Sequence, residues 1–112
     1  MMDADKTYNG WTNWETWHTA LLADNEEQSY KRATALAERC AAIRRGEVKN
    51  KVFDLKRAAD AFKRLLAPQW KATRDFAKEN AREFGGGWGE PIDPPNWGEI
   101  AEHFMQTADE NK

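Results

Sequence analysis

The stretch GWTNWETWHTALL, residues 10–22, places Trp11, Trp14 and Trp17 within seven residues, and its reading decides the fold. Three tryptophans this close suit either a stacking platform for a ligand or one helix's share of a core. The spacing selects the second. Thr12 stands three residues before Glu15, the capping-box arrangement in which each side chain satisfies an orphan amide of a helix start. Trp14, Trp17, His18, Leu21 and Leu22 then recur at i, i+3, i+4, i+7 and i+8, one face of an amphipathic helix. The expectation is a first helix that begins at Thr12, ends near Asp24 and Asn25, and buries Trp14, Trp17 and Leu21. Trp11 precedes the cap, and its staple partner position holds Thr16, so it is expected to pack on another helix.

The rest of the chain repeats the helical period. A second helix is predicted from about Glu26 to Arg45, with a stripe of Tyr30, Ala33, Leu36, Ala37, Cys40 and Ile43 and a stop at Gly46. A third is predicted from about Lys49 to Leu66, carrying Val52, Leu55, Ala59, Phe62 and Leu66. Pro68 either kinks that helix or opens a fourth, whose stripe is Trp70, Thr73, Ala77, Ala81 and Phe84. The segment FGGGWGEPIDPP, with four glycines and three prolines, is poor material for helix or strand. Asn96 is placed to cap the last helix, with Glu99 at the capping-box position and Trp97, Ile100, Ala101, Phe104, Met105 and Ala108 along its apolar face. No window alternates with period two long enough for a convincing strand. The reading is all-α: one domain over 1–112, a compact bundle of four to five helices, a flexible start at 1–10 and a Gly/Pro-rich loop at 85–95. Its expected core comprises Trp11, Trp14, Trp17, Leu21, Trp97, Ile100 and Phe104, with the first and last helices packed together.

A chain of 112 residues can bury one modest core. The apolar share is only 40%, but aromatic residues make up 12%, and each large ring buries on the order of 150–250 Å². No run approaches the roughly 20 apolar residues that a membrane-spanning helix needs. The acidic start MMDADKTYNG lacks the apolar stretch of a signal peptide. Cys40 is the single cysteine, which excludes an internal disulfide and a cysteine-based zinc knuckle. A cytoplasmic protein is expected.

Charge is segregated along the chain. Residues 1–30 carry six acids and one base, residues 31–82 fifteen bases and six acids, and residues 83–112 seven acids and one base. Two arrangements follow from this asymmetry. Either the acidic ends fold back and neutralise the basic helices, or the basic helices present a patch to a polyanion or an acidic protein.

Few motifs suggest chemistry. Glu15-x-x-His18 has the spacing of a helical di-metal ligand pair. A second copy is missing, because His103 has Glu99 and Glu102 at the wrong spacings. No metal site and no cofactor is expected; His18 should be partly buried and hydrogen-bonded. The glycine loop lacks the Lys-Ser/Thr ending of a phosphate-binding loop. Its Trp88 either packs on the bundle or anchors a partner. Cys40 lies in an apolar stripe and Ser29, the one serine, has no evident base, so the chain is read as non-enzymatic. The candidate partner-binding residues are Arg39, Arg44, Arg45, Lys49, Lys51, Lys56, Arg57 and Trp88. Lys31, Arg32, Lys63 and Arg64 belong to the same basic helices, where Glu38, Glu47, Asp54 and Asp60 are interleaved.

The opening Gly10-Trp11-Thr12-Asn13-Trp14-Glu15-Thr16-Trp17 and the closing Trp97, Glu99, Ile100 and Ala101 resemble a family of small prokaryotic and phage- or plasmid-borne proteins. These share a GWTNYETW opening and a C-terminal W-x-E-I-A helix; Trp14 stands here where Tyr is common. The resemblance covers the two ends and brings no catalytic residues with it. It implies a setting in mobile genetic elements, whose small accessory proteins often counter host defence by binding. The expected function is therefore an anti-defence inhibitor, directed at a CRISPR–Cas or restriction component and acting by occluding a host protein complex. A nucleic-acid-binding accessory protein that uses the basic helices of 31–82 is the second expectation.

Overall fold

The computed structural model describes residues 8–79 and 94–110. Its first helix, α1 (Trp14–Asn25), starts one residue later than the capping-box spacing implies. Asn13, extended at φ −156° and ψ 172°, is the cap, and its side-chain oxygen accepts the Thr16 N–H at 2.8 Å. Thr12 is thereby released from capping α1, and its own amide points elsewhere.

Glu26 alone separates α1 from α2 (Glu27–Arg44). Its backbone turns extended, at φ −108° and ψ 123°, and its carboxylate accepts the amides of Gln28 and Ser29 at 3.1 and 2.8 Å. The Ser29 hydroxyl donates back to the Ala23 carbonyl at 3.0 Å, satisfying an acceptor that the end of α1 leaves open. α2 ends where expected, and Gly46 takes φ +78° just beyond it.

α3 (Leu55–Leu65) begins six residues later than the predicted Lys49. Asn50 adopts φ +65°, incompatible with a continuing helix, and the Asp54 side chain then caps the Lys56 amide at 2.9 Å. Val52, assigned above to a buried stripe, is 91% exposed. At Leu66 the backbone leaves helical geometry, and Pro68 sits in the first turn of α4 (Ala67–Glu79), where its missing N–H costs nothing. The proline thus opens a fourth helix. Ala81 and Phe84 of the predicted stripe lie outside the described residues, as do residues 1–7 and most of the Gly/Pro-rich segment.

The last helix, α5 (Trp97–Glu110), is the centre of the bundle. Ile100, Ala101, Phe104 and Met105 are buried between α2 and α3. They meet Ala33, Ala37 and Ala41 of α2 and Ala58, Phe62 and Leu66 on the α3 side. The alanines on α2 allow close helix approach. The Phe62 and Phe104 rings stack with centroids 5.7 Å apart. The described residues therefore form an all-α bundle of five helices, with α1 and α4 paired beside the α2–α3–α5 unit.

The buried face of α1 corrects the sequence reading. Thr16, Thr19, Ala20 and Ala23 point inward, whereas Trp14, Trp17 and Leu21 are only half-buried. Both sets have helical spacing, but α1 lies between α4 and the α2–α5 side and is covered from two directions. Small residues take the closest approach, and the bulky rings tile the flanks. Trp14 stacks on His18 at 4.7 Å, and Trp17 meets Tyr8 at 4.8 Å. Ile100 and Phe104 occupy the core, with Trp11 and Trp97 packed against it. The first and last helices do meet, through Asn96 and Thr16 near their starts and through His103 and Asp24 further along, but α5 packs chiefly on α2 and α3, and α1 on α4.

Candidate functional site

α2 and α3 each pack against α5 far more extensively than against each other. Their outer flanks diverge and leave a groove lined by Arg32, Ala35, Leu36 and Arg39 of α2 and by Ala61, Arg64 and Leu65 of α3. The groove continues past Cys40 and Ile43 towards Lys51, Val52 and Arg57. Small alanines on both walls keep it open.

The arginines form two rows. Arg32 and Arg39 stand seven residues apart on α2, as do Arg57 and Arg64 on α3. Seven residues are close to two helical turns, so each pair shares a face, with about 10.5 Å of rise between its members. All four are exposed. Among the described residues none of them forms an ion pair, although the Glu26 carboxylate feels the charge of Arg32. The floor between the rows is aliphatic: Ala35, Leu36, Ala61 and Leu65.

The predicted partner-binding residues divide accordingly. Arg39, Lys51 and Arg57 line the groove. Lys49 and Lys56 are exposed beside it. Arg44 and Arg45 are engaged within the fold instead. Arg44 pairs with Glu102 and with Asp109, the latter at 3.2 Å, and Arg45 pairs with Asp109 and with Glu47, the latter at 2.8 Å. The hydrogen bond to Glu102 is the main reason the Arg44 guanidinium holds its proton more tightly than usual. The acidic C-terminal helix therefore neutralises the basic C-terminus of α2, while the α2–α3 flank stays basic. Trp88 lies outside the described residues. Arg32 and Arg64, placed on the basic helices by the sequence but left out of the partner-binding candidates, also line the groove. Their seven-residue spacing from Arg39 and Arg57 was the available signal.

A second polar cluster lies between α1 and α4. His18 Nδ1 is 3.0 Å from the Thr73 hydroxyl, which accepts a hydrogen bond from Thr19 at 3.0 Å. The His18 ring packs against both Trp14 and Phe76, whose own centroids are 6.0 Å apart, and burial lowers its pKa below the ordinary histidine value. Among the described residues no three His, Cys, Asp or Glu side chains converge as a metal ion would require. Cys40 is buried at the groove floor, and that burial pushes its thiol pKa up, away from nucleophilic chemistry. No helix of the described residues is long and apolar enough to cross a membrane.

A family model described as a family of unknown function (DUF7249) matches residues 4–101, and the chain belongs to that family. The matched span takes in α1 to α4 and the first turn of α5. No curated protein and no solved structure is similar to the chain.

Proposed function

We propose that this member of the DUF7249 family is a small non-enzymatic binding protein of a mobile genetic element, working in the host cytoplasm as an anti-defence inhibitor. It occludes an acidic surface of a host protein complex, a CRISPR–Cas or restriction component. The observation that carries this reading is the α2–α3 face, whose two arginine rows flank an aliphatic floor. Occlusion needs only a complementary surface: charge sets the encounter rate and the register, and the apolar floor supplies the lasting contact. The mobile-element setting comes from the resemblance of the two chain ends described above.

The test is affinity capture of host proteins on the full-length chain, read by mass spectrometry, together with a phage-restriction assay in cells expressing it. A defence component should be retained and restriction relieved. Unrelieved restriction with no defence component captured would reject the proposal.

The bases Lys49, Lys51, Lys56, Arg57 and Arg64, which form no ion pair among the described residues, favour one second reading, in which the same face tracks a phosphate backbone. Such binding weakens steeply with salt. Gel shifts over a salt series check it, and no shift at the lowest salt removes it.

A further inference from the structure

We infer that the groove between α2 and α3 receives a helix of the partner protein, one with an apolar stripe and acidic residues along both flanks. The inference rests on the α2–α3 face being the contact surface, and it names what that surface takes.

The fold contains its own precedent. α5 lies between α2 and α3 on the inner side, with Ile100, Phe104 and Met105 turned inward. Its flanking carboxylates, Glu102 and Asp109, meet the α2 arginines Arg44 and Arg45. The outer side of the same two helices offers the same chemistry with no described segment in place. Leu36 and Leu65 are half-buried on the floor, and arginines stand above them on both walls. A guest helix seated opposite α5 completes a four-helix arrangement around α2 and α3. Its apolar i, i+3/i+4, i+7 positions fill the floor. Acidic residues seven apart on its flanks match the two arginine rows, each with about 10.5 Å between its members.

The floor also separates a helix from a nucleic acid. Sequence-tolerant nucleic-acid grooves combine basic residues with aromatic rings on which bases stack. Between these arginine rows the lining is Ala35, Leu36, Ala61 and Leu65, which complements aliphatic side chains.

The probe is a fluorescently labelled designed helix of about 20 residues, long enough to hold its structure. It carries leucines on one stripe and glutamates on both flanks; a twin carries lysines in place of the glutamates. Binding to the full chain is read by fluorescence anisotropy. The wild type is compared with the double variant Arg39→Glu/Arg64→Glu and with Ala35→Phe, which fills the floor at an exposed position. Circular dichroism confirms that both variants remain helical. The acidic helix should bind, the lysine twin should not, and each variant should weaken binding by about tenfold or more.

Equal binding of the two peptides, binding indifferent to both variants, or no binding of the acidic helix overturns the inference. So does self-association in sedimentation that Arg39→Glu/Arg64→Glu abolishes, because the occupant would then be a second copy. Competition by single-stranded DNA through the same arginines also overturns the helix while leaving the face as the contact surface. Failure of the underlying reading is separate: the double variant would then still capture the host component.

Discussion

The backbone amide of Thr12 donates to the Glu99 carboxylate at 2.8 Å, joining the starts of two helices 87 positions apart. Asn96 completes the clasp from the other side. Its amide donates to the Thr16 hydroxyl at 2.9 Å, its side-chain nitrogen to the Thr12 hydroxyl at 3.2 Å, and its side-chain oxygen accepts the Glu99 amide at 3.0 Å. A capping box normally satisfies the amides of one helix from within it. Here Asn13 and Asn96 cap their own helices, and each helix in addition supplies the acceptor for an amide just ahead of the other.

This crossing predicts coupling. Glu99→Ala is expected to lower the unfolding free energy by about 1–2 kcal/mol, and Thr16→Val by a similar amount. The double variant should depart from additivity by at least about 0.5 kcal/mol. Urea denaturation of the four proteins measures the cycle; strict additivity would mean that the two ends act independently.

The depth of burial orders the aromatic substitutions. Phe62→Ala and Phe104→Ala remove fully or nearly fully buried rings and are expected to cost about 3–5 kcal/mol each. Trp14 is half-buried on the α1 flank, so Trp14→Ala should cost clearly less despite the larger side chain. A Trp14→Ala protein melting below Phe104→Ala would place the core elsewhere.

Acid should act in two stages. His18 has its folded pKa lowered by burial, so the unfolded chain binds the proton more readily. Its contribution is fully present above the unfolded value of about 6.5 and is lost as pH falls from there towards the folded value. Glu26 is depressed chiefly by the Ser29 and Gln28 amides. Its contribution is present above about 4.5 and is lost as pH falls through the folded value. Thermal melts from pH 8 to pH 3 should show both slopes, with His18→Gln flattening the first and Glu26→Gln the second.

Gly46 isolates a backbone effect. It holds φ +78°, and a Cβ there would meet nothing within 4 Å. Gly46→Ala is therefore expected to cost about 1 kcal/mol, from the left-handed conformation alone. A neutral substitution in a calorimetric melt would show that the turn after α2 readjusts.

The number of helices and their approximate order were legible in the chain. Asn96 was readable as a cap, Gly46 as a stop and Pro68 as a breaker, because each acts through its own backbone within a few residues. The late start of α3 was less visible. Val52 fits the stripe period, but Asn50 at φ +65° and the cap at Asp54 override it. For the candidate site, the basic character of α2 and α3 could be read directly, but the division of labour among the arginines could not. Arg44 and Arg45 look like Arg39 in sequence, and only the docking of α5 brings Glu102 and Asp109 to them.

GWTNWETWHTALL by itself determined that a helix forms here and roughly where it begins, since period and capping are local. Which side of that helix is buried, and where the Thr12 amide ahead of it finds its acceptor, was decided only when the chain closed. Thr16, Thr19, Ala20 and Ala23 turn inward because α1 is covered from two directions and only small side chains fit the closest approach. Thr12 and Glu99 join across the two ends because packing α5 between α2 and α3 brings both helix starts to one place. Neither outcome is a property of any single helix.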